Sequence, residues 1–264
     1  MTTLLADGDV APLLERNARG TSPILLTCDH YGRLLPRKLG DLGLPPSELE
    51  RHIAWDIGIA GVAERLADAL DAHLIAQRYS RLVIDCNRPH QSAGSIPLIS
   101  EATAIPGNAG LSQTEIAQRR TEIFAPYHDC IRRALDARRD AKRPTLLVSL
   151  HSFTPVYAGV ARPWHIGTLY NRDTALAPRV YEALTREGDL VVGNNQPYAV
   201  SNTTDYTIPV HGEGRGLPNS GIEIRQDLIA HEDGQRDFAD RLARILQKIL
   251  ATTDASLNDT LAAD

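Results

Sequence analysis

Short apolar runs rich in β-branched residues, separated by stretches of helical period, constrain the fold of this chain more than any other feature. The runs are Ile24-Leu-Leu-Thr-Cys28, Leu82-Val-Ile-Asp-Cys86, Leu146-Leu-Val-Ser-Leu150, Ile166-Gly-Thr-Leu-Tyr170 and Ile222-Glu-Ile224, with a weaker one at Leu190-Val-Val192. Runs this short and this continuously apolar read as strands buried on both faces. Between them, Ile53, Ile57, Ala60, Ala63, Leu66 and Leu70 recur at helical spacing, as do Phe238, Leu242, Ile245, Leu246 and Ile249. The alternation predicts an α/β fold, a mostly parallel mixed sheet flanked by helices. At 264 residues, 42% hydrophobic and 23% charged, the chain is expected to build a single domain around one sheet. That domain is expected over 22–252, after an N-terminal segment 1–21. Residues 253–264, rich in Ala, Thr and Asp and without an amphipathic pattern, are expected to be a flexible tail.

The remaining composition narrows the partners. A net charge of -5 offers no basic footprint for phosphate backbones or anionic membranes, so nucleic acid is not an expected partner. Cys28, Cys86 and Cys130 show no CxxC spacing, which fits a reducing compartment. No apolar run reaches the roughly 20 residues of a membrane span, and the N-terminus carries acidic residues where a signal sequence would be basic. The expected location is cytoplasmic. Two stretches, 91–112 and 194–220, are dense in Gly, Pro, Asn and Ser and are read as active-site loops.

Polar side chains stand where the apolar runs end: Asp29-His30, Asn87-Arg88, His151-Ser152, and Glu223 with Arg225. In open α/β sheets the crevice beyond the carboxyl ends of the strands binds ligands, so these ends can converge on one site. His30 and His151 suit a catalytic Zn²⁺, which usually takes three protein ligands and leaves a position open. The third ligand is Asp56 or Asp29; Asp56 is preferred because Asp29 should point away from its neighbour across the strand. Glu223, a charge between two isoleucines of a buried strand, needs either a catalytic role as general base or an arginine partner. Asn87-Arg88 presents a planar guanidinium suited to a substrate carboxylate, although a surface arginine would look the same.

Taken together, these residues resemble the N-formylglutamate amidohydrolases over about residues 22 to 250. The similar blocks are Cys28-Asp-His-Tyr-Gly-Arg33, His52-Ile-Ala-Trp-Asp-Ile-Gly58, Tyr79-Ser-Arg-Leu-Val-Ile-Asp-Cys-Asn-Arg-Pro89 and Ile105-Pro-Gly-Asn108, then Pro126-Tyr-His128, Leu150-His-Ser-Phe-Thr-Pro155 and Arg162-Pro-Trp-His165, and finally Gln196-Pro-Tyr198, His211-Gly212 and Ile222-Glu-Ile-Arg-Gln-Asp-Leu228. That family looks like a distant branch of the zinc carboxypeptidase (phosphorylase/hydrolase-like) and acylase fold, in which an Asn-Arg pair binds a substrate carboxylate and a glutamate serves as general base. Two departures stand out: Arg33 occupies the place of the Glu in the His-x-x-Glu ligand pair of carboxypeptidases, and Asp29-His30-Tyr31-Gly32 replaces a Pro-His-Ser-Gly block.

The resemblance implies a zinc-dependent amidohydrolase, a deformylase-like enzyme cleaving the formyl or other small acyl group from an N-acylated amino acid such as N-formylglutamate. His30, Asp56 and His151 would hold the zinc, Glu223 would move the proton, and Asn87 with Arg88 would hold the carboxylate. Arg81 or Arg225, with Tyr198 and His211, would stabilise the oxyanion or close the site, or would only brace Glu223, Asp85 and the loop. The alternatives are another N-acyl amino-acid hydrolase, a carboxypeptidase-like peptidase, or a non-catalytic metal- or ligand-binding member of the fold.

Overall fold

The computed structural model describes residues 3–261, with side chains through 252. In chain order its elements are β1 (Leu13–Arg16), β2 (Ile24–Cys28), α1 (Pro46–Leu49), α2 (Ile59–Leu70), β3 (His73–Gln77), β4 (Ile99–Ser100), β5 (Thr103–Ala104), α3 (Gln113–Arg119), α4 (Ala125–Asp140) and β6 (Leu146–Phe153). They continue with β7 (Val156–Tyr157), β8 (Val160–Ala161), β9 (Ile166–Leu169), α5 (Ala177–Glu187), β10 (Val192–Asn194), β11 (Asn219–Arg225) and α6 (Glu232–Leu261). The tail expected at 253–264 falls on residues whose side chains, and from 262 whose backbone, lie outside the described residues.

Seven strands form one mixed sheet in the order β1-β3-β2-β6-β11-β9-β10. The four central strands β3, β2, β6 and β11 run parallel. Strand β1 from the N-terminal segment is antiparallel to β3, and β9 is antiparallel to β11 with β10 parallel to β9. The fold is the expected α/β domain with a mostly parallel sheet. Alternation along the strands divides its faces. Ile24, Leu26, Val148, Leu150, Ile222 and Ile224 pack under α2, α5 and α6 in one apolar core. Leu25, Ile75 and Leu147 pack on the other face against α4 and the 79–86 segment.

On that second face the residues nearer the carboxyl ends become polar: Thr27 in β2, Ser149 and His151 in β6, Glu223 in β11, all buried. Parallel pairing places Glu223 directly beside His151. The α2 helix starts at Ile59, later than the Ile53 and Ile57 spacing predicts. Its left-handed Gly58 has φ 80°, and a side chain there would collide with the Ile229 carbonyl, so the chain turns sharply at this point. The turn carries Asp56 into the site, with its backbone N–H donating to the His30 carbonyl at 3.0 Å.

Residues 82–86 correct the sequence reading. They are buried and apolar but form turns, and the strand beside β2 is His73–Gln77. Their carbonyls are satisfied by buried side chains in place of a ladder: Asn108 donates to Leu82 O at 2.9 Å, Arg119 to Val83 O at 2.9 Å, and His128 Nε2 to Cys86 O at 2.9 Å. Side chains can meet the obligatory backbone bonds without a sheet neighbour. Arg119 is almost wholly enclosed, and burial pushes its guanidinium down to about 10. A π-helical turn at 120–124 links α3 to α4 just ahead of Pro126, whose missing N–H cannot complete an α-helical bond.

His128 also accepts from His211 Nε2 at 3.0 Å, the two rings lying 14° from parallel. Burial pushes His128 down to about 4 and His211 to about 3. Because the unfolded chain takes up those protons near pH 6.5 and the folded one resists, their contribution is complete above about pH 6.5 and is lost as pH falls toward 4. For His128 alone it is on the order of 3 kcal/mol. Thermal melts between pH 4 and 7 should show His128→Gln with a pH slope shallower by about one proton. An unchanged slope would remove this account of acid sensitivity.

Candidate active site

The carboxyl ends of β2, β6 and β11 open onto a cavity of about 490 Å³, within the range usual for small-molecule sites. At its floor are His30, Asp56 and His151, each buried, each offering a ligand atom within 4.8 Å of the others. His151 Nδ1 is 3.0 Å and His30 Nδ1 is 3.4 Å from Asp56 Oδ2. The far ring nitrogens face carboxylates: His30 Nε2 is 2.7 Å from Asp85, and His151 Nε2 is 3.2 Å from Asp29 and 3.1 Å from Ser149 Oγ. Asp29, the alternative third ligand, thus lies on the opposite side of His151 from Asp56, accepting at 2.6 Å from Thr207 Oγ1.

Metal-ligating histidines usually have a carboxylate behind the free nitrogen to fix ring and tautomer. Both do here. Among the described residues His30 Nδ1 has no hydrogen-bond partner, although fully buried. A divalent cation would satisfy that atom and balance the surrounding carboxylates, so the donor set suits a three-ligand metal centre. Burial opposes ionisation of Asp56 and Asp85, yet His30, His151 and Arg81 hold both far below the usual carboxylate range. Burial likewise opposes charge on His151, but its bonds to Asp29 and Asp56 raise its pKa well above the usual imidazole value. Where a metal binds, it takes the place of such protons, and binding releases them.

Glu223 adjoins this group with Oε2 lacking a hydrogen-bond partner among the described residues. Burial pushes its carboxyl up to about 7 against the pull of His151. The arginine partner of the alternative reading is absent from its hydrogen bonds, because Arg225 turns aside to Asp227 at 2.8 Å and does not line the cavity. Arg81 lines it but is committed to Asp85 through Nε and Nη2, at 3.1 and 2.7 Å, with Nη1 3.5 Å from Asp56.

Asn87 and Arg88 both reach the cavity from the turn following 82–86, not from a strand end. Asn87 Oδ1 accepts from the backbone of Tyr206 and Thr207, at 3.0 and 3.1 Å, so its amide braces the 194–220 loop. Arg88 is half-buried, with Nη1 donating to Asn87 O and Thr204 O and lying 3.9 Å from Asp205. Tyr198 hangs over the opening, its hydroxyl accepting from Arg162 at 2.8 Å. The Arg162 guanidinium also stacks over the Tyr157 and Tyr198 rings, 4.7 Å from each centroid. His211 is outside the cavity, held in the stacked pair with His128.

Sequence reasoning did not assign Asp85 to His30, and did not single out His52, Glu101, Ser149 or Arg162. The aspartate within Leu82–Cys86 was the one available signal, a buried charge in an apolar run that must find a partner.

The sequence model of the N-formylglutamate amidohydrolase family matches residues 22–230. The chain belongs to this family. Among solved structures, a gene product of Agrobacterium tumefaciens superposes with a TM-score of 0.91 at 36% identity, over 95% of this chain and 99% of that one. The N-formylglutamate amidohydrolase of Ralstonia eutropha superposes with a TM-score of 0.67 at 20% identity, covering 92% of this chain and 100% of that one, a likeness of fold. An N-formylglutamate deformylase of Pseudomonas putida is 28% identical over 178 residues, 61% of this chain and 66% of that protein, just under two thirds of its length. The matched N-formylglutamate amidohydrolase region contains all three cavity-floor residues and Glu223. Among the described residues no helix is long and apolar enough to cross a membrane.

Proposed function

We propose that the chain is a zinc-dependent amidohydrolase that removes a formyl or other small acyl group from an N-acyl amino acid. The observation that carries this reading is the pairing of β6 with β11, which sets the buried Glu223 carboxylate, its Oε2 without a hydrogen-bond partner among the described residues, beside the His30, Asp56 and His151 group. A binding protein has no need of a proton acceptor there. His30, Asp56 and His151 would hold the metal, while Asp85 and Asp29 fix the two imidazole rings from behind. A bound zinc would supply Lewis-acid polarisation of the scissile carbonyl and would lower the pKa of water at the site.

Glu223 takes the proton of the attacking water and returns it to the leaving amine nitrogen, completing hydrolysis with no net proton change on the carboxylate. Arg88 receives the α-carboxylate, held in position by the Asn87 and Thr204 carbonyls. Arg81 keeps Asp85 and Asp56 aligned, and Tyr198 covers the opening. N-formylglutamate is the reference substrate for which the family is named.

Wild type and Arg88→Ala should be compared on an N-formyl amino acid and on its α-carboxamide. A charge-assisted bond of about 1.5–3 kcal/mol predicts that the mutation lowers kcat/KM for the acid by roughly 10- to 100-fold and affects the amide far less. Arg88→Lys should not restore it, since an ammonium lacks the planar fork. Equal losses on acid and amide would show that Arg88 does not read a carboxylate.

A further inference from the structure

The opening of the cavity holds a cation that takes no part in the hydrolysis. Arg162 follows β8, and its backbone N–H donates to the Pro155 carbonyl at 2.8 Å, which closes the base of the β7–β8 hairpin. Its half-buried guanidinium lies over three rings that line the cavity, 4.7 Å from the centroids of Tyr157 and Tyr198 and 5.9 Å from that of Phe153. The side-chain hydrogen bond it makes among the described residues goes to a neutral acceptor, the Tyr198 hydroxyl. Arginine presents a planar fork of N–H donors, so most of them stay available to a ligand. The charge is felt at the cavity wall: His52, held below the ordinary imidazole pKa first by burial, is pushed the same way by Arg162.

Other guanidiniums around the cavity already face carboxylates. Arg81 is committed to Asp85 and Asp56, and Arg88 has Asp205 at 3.9 Å. Glu101 of the cavity wall reaches the hairpin, accepting from the Ala158 N–H at 3.5 Å, but it is paired with Arg51, which also holds Glu48. Among the described residues Arg162 has rings and a hydroxyl for neighbours and no ion pair. Aromatic faces stabilise a cation less than a bidentate carboxylate does. The two tyrosines therefore hold the planar group in place without neutralising it. With an α-carboxylate on Arg88, Arg162 remains for a second anion.

We propose that Arg162 is a specificity residue that receives the side-chain carboxylate of an acidic N-acyl amino acid, the α-carboxylate lying on Arg88 and the distal one on Arg162 beside Tyr198. This rests on the amidohydrolase reading for the pose of the substrate. A side-chain carboxylate there exchanges part of its hydration for a fixed guanidinium fork, whereas a side-chain amide of the same shape leaves the cation unmatched.

Affinity measured apart from turnover separates the two readings. Zinc-loaded Glu223→Gln protein, titrated calorimetrically with N-formylglutamate and N-formylglutamine, should bind the glutamate compound at least about tenfold more tightly, as a charge-assisted bond predicts. In the double variant with Arg162→Gln the ratio should shrink to within about threefold, through loss of glutamate affinity with the glutamine compound little changed. A guanidinium that only braced the tyrosines would, on removal, weaken both ligands alike and leave the ratio standing. Arg162→Lys, which keeps the charge without the fork, should retain only part of the preference. A measurement that needs no change at Arg162 is the same ratio at about 0.05 and 0.5 M salt, which should fall as the attraction is screened. Equal or tighter binding of the glutamine compound overturns the proposal, as does a preference that survives Arg162→Gln in a protein of wild-type melting temperature. An Arg162-dependent preference for glutamate with no turnover of either compound by the wild type sustains the subsite and overturns the hydrolase. Turnover of both compounds with equal kcat/KM sustains the hydrolase and overturns the subsite. Failure of both ligands to bind overturns both.

Discussion

Glu223→Gln is expected to leave the fold and metal content intact while lowering kcat by on the order of 10²- to 10⁴-fold, the usual contribution of general acid–base catalysis. The amide has nearly the carboxylate's volume and can still hydrogen-bond, so packing between Ile222 and Ile224 should survive. It cannot accept a proton. Since the proposed mechanism has the carboxylate act on the water and the leaving nitrogen, KM should change little, and the loss should appear almost wholly in kcat. Steady-state kinetics combined with zinc analysis of the purified variant checks both halves. A variant that binds zinc and retains near wild-type kcat would make Glu223 a structural residue, and the reading built on its position beside His151 would fail.

Removal of the metal should have the second large effect. Purified protein should carry about one zinc per chain, and prolonged chelation should abolish turnover until zinc is restored. Asp56→Ala should lose the metal outright, because Asp56 Oδ2 stands 3.4 Å from His30 Nδ1 and 3.0 Å from His151 Nδ1. Asp29→Ala and Asp85→Ala act from behind the imidazoles, and changes in that position typically lower affinity by about 10- to 100-fold. Zinc titration of the three variants ranks them, and the reverse order, with Asp29→Ala the more severe, would transfer the ligand role to Asp29. The carboxylates hold the histidine pKa values high without metal, so zinc addition near neutral pH should also release protons, measurable as buffer-dependent binding heat.

The architecture was legible because central strands of a parallel sheet announce themselves by continuous apolar runs, as Ile24–Cys28 and Leu146–Leu150 do, buried throughout but for the half-buried Leu146. The same property misleads at Leu82–Cys86, equally buried but bonded to Asn108, Arg119 and His128 across long sequence separations that no local pattern records. His73–Gln77 escaped notice for the converse reason, its apolar centre being bracketed by His73 and Gln77. In the site, His30, Asp56, His151 and Glu223 could be selected as chemistry placed among apolar residues. The orientation of a side chain beyond the last ladder bond is a different matter. Arg225 stands two residues after Glu223, yet it turns to Asp227, a choice made by the loop and invisible to strand parity. His211 was selected for its residue type, and its stacking on His128 depends on the π-helical turn at Ile208–Gly212.

The opening of the cavity is assembled from pieces that contribute nothing to its floor. Tyr157 of the β7–β8 hairpin and Tyr198 of the 194–220 loop meet through Arg162, while the His30, Asp56 and His151 group comes from the turn after β2, the turn before α2 and β6. Two parts so separated can diverge at different rates. Insertions or exchanges in the hairpin and loop would redirect a descendant enzyme to new acyl groups or side chains while the hydrolytic apparatus passed on unaltered, so lineages sharing this floor need not share a diet.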